Sequence, residues 1–227
     1  MKNKKQKYDR NTIEIHRNSI VFQSISTVYL LLLITCLSAV EKPATITGNK
    51  MNILQKGDIL EFIGNVKLVQ QNLTIIADEM KSNEKTGMVL GNGNIMVHYS
   101  SGTENTLAWC DVAEYNKNSG AGIFNRNVKV KRDVVNLTCE KLEIFEFGNR
   151  FHAMSNVKIT QPQMEATSNE ASYDNKTKEI LLIGGPPKII KSEEKGFSEF
   201  SGDRIFLAVD KETVTILGNV RTKMVLK

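Results

Sequence analysis

Two cysteines stand in matching surroundings, Cys110 directly before Asp111 and Cys139 directly before Glu140. Neither belongs to a Cys-x-x-Cys pair, so zinc ligation lacks its spacing and no metal site is expected. The histidines His16, His98 and His152 are scattered, and Gly-x-Ser-x-Gly, His-Glu-x-x-His and a phosphate-binding glycine loop do not occur. Carboxylates recur at Asp78, Asp111, Glu140 and Asp203, but an acid that returns once per repeat serves a turn or strand end more simply than acid–base catalysis. The expectation is a protein that is not an enzyme and needs no cofactor. A basic residue follows a recurring tripeptide at Lys67, Lys129, Lys158, Lys188 and Arg221, with Met96 the exception. Stacked, these side chains form one outward row that either contacts phosphates and acidic sugars or keeps a sheet face solvated.

The tripeptide is Gly64-Asn65-Val66, Gly93-Asn94-Ile95, Arg126-Asn127-Val128, Ser155-Asn156-Val157 and Gly218-Asn219-Val220, with Pro186-Pro187-Lys188 in the place between the last two. From Asn65 through Pro187 to Asn219 the markers are 29, 33, 29, 31 and 32 residues apart. A second element, a small residue followed by an acid or amide and then an apolar residue, precedes each marker, as in Ala77-Asp78-Glu79-Met80 and Gly202-Asp203-Arg204-Ile205. Polar Asn/Asp/Gly clusters follow it, as at 83–87, 116–120, 174–177 and 210–213, and supply turn chemistry. Between turns, apolar residues alternate with polar ones, the signature of half-buried strands. A period near thirty residues means repeats that bury their apolar faces only by stacking. The fold class is therefore all-β, with rungs stacked along one axis. If consecutive rungs lie side by side in register, Cys110 and Cys139 have Cα atoms about 5 Å apart, and they either form a disulfide or remain two small buried thiols.

The elements before residue 44 are of another kind. Residues 1–17 are basic, and Asn18–Val40 is a run of 23 uncharged residues, 15 of them apolar, long enough to cross a bilayer as one helix. The basic flank places residues 1–17 in the cytoplasm and the rest outside, with 18–40 as a membrane anchor. The alternatives are a cleaved signal peptide, which leaves a soluble exported domain, lipidation at Cys36, and a buried helix of a soluble protein. Six basic and two acidic residues before position 41 supply +4 of the net charge of +5, so the main domain is nearly neutral and nucleic acid is not expected as a partner. With 41% hydrophobic and 24% charged residues, the chain is not compositionally disordered.

The alanine–aspartate pairs, the Asn/Asp-Lys turns and the repeated Gly-Asn-Val resemble the OstA-like domain of the lipopolysaccharide transport proteins LptA, LptC and the N-terminal domain of LptD. The stretch 46–51 with Phe62-Ile63-Gly64-Asn65-Val66 is similar to the opening of that domain, and the resemblance covers about 44–227. It implies a repetitive open β-jellyroll over 44–227, preceded here by the apolar helix. It also implies a groove between two sheets that shields lipopolysaccharide acyl chains during passage from inner to outer membrane. The groove would be lined by Val66, Leu68, Ile75, Ile95, Val97, Val128, Val130, Val157, Ile159 and Ile189. The implied partners are lipopolysaccharide, other bridge proteins or further copies joined by end-to-end strand pairing, and an inner-membrane ABC transporter. The implied location is the periplasm, tethered by 18–40 or released by cleavage. The long leader departs from a plain periplasmic LptA, whereas LptC-like members keep one membrane helix, and the resemblance leaves both roles open. The proline pair at 186–187 departs from the pattern, since neither can donate to a strand ladder, and that rung is expected to bend or lie on an edge. The rival from another class is an exported structural or adhesive β-solenoid with a closed apolar core and no lipid.

Overall fold

The recurring tripeptide is where the chain turns a corner. In the computed structural model, which describes residues 43–101, 104–194, 196–208 and 213–226, consecutive residues with left-handed φ occur at Gly64/Asn65, Gly93/Asn94, Arg126/Asn127, Ser155/Asn156, Gly184/Gly185 and Gly218/Asn219. Two such residues in sequence break the ladder and kink the strand. Asn and Gly recur there because they tolerate left-handed φ best.

Sixteen strands are described, all paired antiparallel: β1 Thr45–Thr47, β2 Lys50–Leu54, β3 Ile59–Gln70, β4 Leu73–Asn83, β5 Met88–Ser101, β6 Glu104–Asn116, β7 Gly122–Arg132, β8 Val135–Phe145, β9 Arg150–Gln161, β10 Met164–Asp174, β11 Glu179–Ile183, β12 Lys188–Glu193, β13 Gly196–Ser201, β14 Arg204–Ala208, β15 Thr213–Leu217 and β16 Arg221–Leu226. The other regular elements are single 3-10 turns at Gln55–Gly57 and Glu146–Gly148. The register slips at each corner from β3 to β10, for example between Ile63 and Val66. Each long strand therefore belongs to two half-sheets. The first holds β2, the halves of β3–β10 ending at their 83–88 type turns, and β11, β14 and β15. The second holds β1, the other halves, and β12, β13 and β16.

One repeat of about thirty residues is thus a pair of long bent strands, not a single rung. This separates the cysteines. Cys110 pairs with Ile95 and Cys139 with Val128, and β7 runs between β6 and β8. Two strand spacings put the cysteines about 10 Å apart, beyond the reach of a disulfide, and both are free and buried.

The fifth corner is also not where the spacing put it. The left-handed pair is Gly184/Gly185, 29 residues after Asn156, and Pro187 is buried in register with Val157 rather than standing for an asparagine. Pro186 is the extra residue. Lacking amide donors, the prolines split what is elsewhere one bent strand into β11 and β12. β12 is nevertheless interior to its half-sheet, between β10 and β13.

The corners are pinned by side chains sixteen residues apart. Asn94 Nδ2 donates to Asp78 Oδ2 at 2.8 Å, Asn127 Nδ2 to Asp111 Oδ2 at 2.9 Å, and Asn219 Nδ2 to both Asp203 oxygens at 3.1 Å. Asp78, Asp111 and Asp203 are corner posts. A Cβ on Gly93 would run into the Asp78 carboxylate, so glycine is required there by contact as well as by φ.

Successive turns are joined by main-chain bonds. Glu84 N–H donates to Asp58 O, Lys117 to Gly87, Phe147 to Gly120 and Asn175 to Asn149, at 2.9–3.2 Å. The segments 1–17 and 18–40, with Cys36 and the expected apolar helix, lie outside the described residues. Among the described residues no helix is long and apolar enough to cross a membrane.

Candidate functional site

Folding at the corners lays the two half-sheets face to face. Along the second half-sheet the inward row nearest the corners runs Val66, Ala77, Ile95, Cys110, Val128, Cys139, Val157 and Ser168. The next runs Leu68, Ile75, Val97, Ala108, Val130, Leu137, Ile159, Ala166 and Ile189. All ten positions expected to line a groove are in these rows. Nine are buried, Val66 and Leu68 with no exposed surface, and Val130 is half-buried. They form a sealed seam rather than an open channel.

Their counterparts on the first half-sheet, Phe62, Met80, Phe124, Leu142, Leu182 and Ile205, are buried too. Sequence reading missed this half. These residues fall before the markers rather than after them, and the alternation that would reveal them is interrupted at each corner.

The two thiols sit inside the seam, and burial pushes Cys110 up to about 12 and Cys139 to about 11.

At the lips, where the hairpin turns of the two half-sheets approach, three contacts close the seam. The Tyr115 hydroxyl donates to Gln70 Oε1 at 2.7 Å, and Gln70 Nε2 donates to the Lys117 carbonyl at 2.9 Å. Both Tyr115 and Gln70 are almost wholly buried. Lys117 Nζ in turn binds Ser82 Oγ and Glu84 Oε1, each at 2.9 Å. The Glu84 carboxyl is held below its ordinary range, first by the Ser82 hydroxyl and then by Lys117. Second, Phe147 packs against Gly120 and, with Gln70 and Leu73, encloses a void of about 20 Å³. Third, the Arg132 guanidinium lies 6.0 Å from the centre of the Tyr173 ring, joining β7 to β10 across the lips.

Beyond Arg132 the lips part. A cleft of about 650 Å³ opens between Gln161–Met164, Lys191 and Ser192 on one side and Ile180, Leu207, Ala208, Thr213 and Val214 on the other. Its size is that of a small-molecule pocket. Its floor is continuous with the seam, since Leu207 belongs to the core and Met164 and Ile180 pack against it. None of the ten expected residues lines it; sequence reading missed the cleft because it forms only where the sheets diverge.

The basic row is aligned as the spacing requires. Lys67, Ile76, Met96, Trp109, Lys129, Thr138, Lys158, Thr167, Lys188, Ser201 and Arg221 are successive register partners. The row faces away from the seam. Lys158 pairs with Glu165 at 2.9 Å and Lys188 with Glu199 at 3.1 Å. No cluster of metal-ligating side chains occurs among the described residues.

Residues 110–213, from the end of the corner half of β6 through β14, match the family model described as LptA/(LptD N-terminal domain) LPS transport protein. Over those residues the chain resembles an LptA/LptD N-terminal domain. This is a transport family and not an enzyme family. The matched span of that LptA-like domain contains the corners at Asn127, Asn156 and Gly185, and the strands before it repeat the same corner geometry at Asn65 and Asn94. Among solved structures, LptH, the LptA-homologous periplasmic component of the lipopolysaccharide transport device from Pseudomonas aeruginosa, is 10% identical. It matches with 82% of this chain and 96% of that chain covered, at a TM-score of 0.30. No curated protein matches the sequence.

Proposed function

We propose that this LptA-like protein carries lipopolysaccharide across the periplasm, taking acyl chains between the half-sheets from the cleft beyond Arg132. The observation that carries the reading is the continuity of that cleft with the apolar seam. Each buried methylene of an acyl chain contributes about 0.8 kcal/mol. Ten of them outweigh latch hydrogen bonds worth about 0.5–1.5 kcal/mol each. Parting the lips is therefore affordable to an acylated ligand and to little else. Lys191 at the cleft rim suits a phosphate on the same ligand. The driving energy comes from an ABC transporter partner, and residues 18–40 tether the domain in an LptC-like manner or are cleaved away.

Bridge assembly is supported by the ends of the stack. β1 and β2 pair only with β3, β15 only with β14 and β16 only with β13 among the described residues. Exposed large apolar side chains gather on these strands and beside them, including Met51, Ile53, Leu217, Val220 and Met224. Edges of this kind accept a strand from another bridge protein or another copy.

The sealed state of nine seam residues favours a second reading, a closed structural β-solenoid. Photocrosslinking separates the two. Benzoylphenylalanine at Met164 in the cleft and at Val128 in the seam, with Glu114 on the outer face as control, is introduced in cells making lipopolysaccharide. Lipid adducts at Met164, with fewer at Val128 and none at Glu114, are expected. No adduct at either inward position in folded, exported protein establishes the closed solenoid.

A further inference from the structure

We infer that the outer face of the second half-sheet, centred on Trp109, docks flat on an anionic lipid bilayer. The face is unpartnered and its chemistry is uneven along the stack. On β9 and β12 the lysines have carboxylates beside them, Glu165 for Lys158 and Glu199 for Lys188. On β3 to β7 they have none. Lys67, Lys129 and Lys131 make no ion pair among the described residues, and the two outward rows that hold them contain no acid between β1 and β8. The acids nearest these rows are Asp78 and Asp111, hydrogen-bonded at the corners to Asn94 and Asn127, and the exposed Glu140 of β8.

The same stretch carries the apolar side chains. Trp109, 36% exposed, lies in register between Met96 and Lys129, with Ile76 and Leu107 close by and Val69 37% exposed. Unmatched positive charge and outward apolar surface therefore coincide around Trp109. A tryptophan flanked by flexible lysines on a flat surface is the composition of an interfacial anchor. The ring sits at headgroup level, and the lysine stems lie along it with their ammonium groups reaching anionic lipid. Along the row Lys67 and Lys129 stand about 19 Å apart, with Ile76, Met96 and Trp109 between them, a sparse spacing that matches a diffuse anionic surface better than a protein partner with discrete acids. The inference stands apart from lipid carriage in the seam, because the face points away from it.

Trp109 is the sole tryptophan of the chain, so its fluorescence reports on this face directly. The full chain is mixed with vesicles of phosphatidylethanolamine and phosphatidylglycerol, or of phosphatidylcholine alone, all free of lipopolysaccharide. On anionic vesicles we expect a blue shift, quenching by brominated lipid, and loss of both signals in high salt. Lys67→Gln, Lys129→Gln and Lys131→Gln together should weaken the Trp109 response by about tenfold or more. Lys81→Gln with Lys141→Gln, on the opposite outer face, should leave it unchanged; circular dichroism verifies the fold of each variant. An unshifted Trp109 on a protein that nevertheless floats with anionic vesicles overturns the inference, assigning attachment to another segment. So does an equal shift on phosphatidylcholine, a folded triple variant with an unaltered response, or a shift elicited by an acidic protein and not by vesicles.

Discussion

The two cysteines differ from a disulfide by a single intervening strand, and their behaviour should show it. With thiols raised to about 12 and about 11 from an ordinary 9, the folded state holds its protons after the unfolded state has released them. Stability is then fully present below pH 9 and falls as pH rises from 9 towards 12. Tyr115, raised from 10 to about 12 by burial, adds to the same loss. Chemical denaturation at pH 7, 9 and 10.5 should give a steadily lower midpoint. Alkylation of Cys110 and Cys139 at pH 8 should be slow until the protein unfolds, and a fast-reacting thiol at either position contradicts the packing. Strain at the corners is testable at the same scale. Arg126 and Ser155 take left-handed φ of 64° where other corners have glycine. Ser155→Gly should stabilise by about 1 kcal/mol in denaturant unfolding, whereas Gly93→Ala should destabilise by about 1–3 kcal/mol.

At the scale of elements, the corner motif was legible in the sequence but its meaning was not. Gly64-Asn65-Val66 and its copies give the period and the strand-forming alternation, and both hold. A period does not say how many strands fill it, so the condition for a disulfide, Cys110 and Cys139 on neighbouring strands, is not met, and the two are small buried thiols. The sequence sets Pro187 in the place of an asparagine, but backbone conformation places it with Val157. The ten inward residues were legible because alternation after each corner is unbroken. Closure of the seam was not, because it depends on pairs such as Gln70 and Tyr115, 45 residues apart, whose side chains carry no local signal. That latch makes a prediction of its own. Replacing Gln70 and Tyr115 with cysteines, in a background of Cys110→Ser and Cys139→Ser, and oxidising the pair should hold the lips together. Lipid adducts at Val128 should then fall at least about fivefold and return on reduction; adducts that persist in the oxidised protein argue against entry between the lips.

For the whole molecule, neutrality conceals an arrangement. The domain after residue 40 has a net charge near +1, yet Lys67, Lys129, Lys131, Lys158, Lys188, Arg221 and Lys223 all occupy the outward rows of the second half-sheet. Composition alone cannot show such segregation, because it follows from register. The exposed apolar edges carry the matching prediction for assembly. Val220→Lys with Met224→Lys on and beside β16 should weaken end-to-end association about tenfold or more in sedimentation, since lysine on an edge opposes strand addition. The same change on the outer face of the first half-sheet, Leu90→Lys, should not.

The bonds between successive turns, from Asp58 to Asn175, have a consequence for length. The main-chain bonds join each thirty-residue unit to the next, and each unit adds two strands, so it advances the stack by about 10 Å. Duplicating one unit, corner to corner, should lengthen the protein by that step without disturbing the others. Such a chain works as a ruler, and the distance it spans can be altered by counting units.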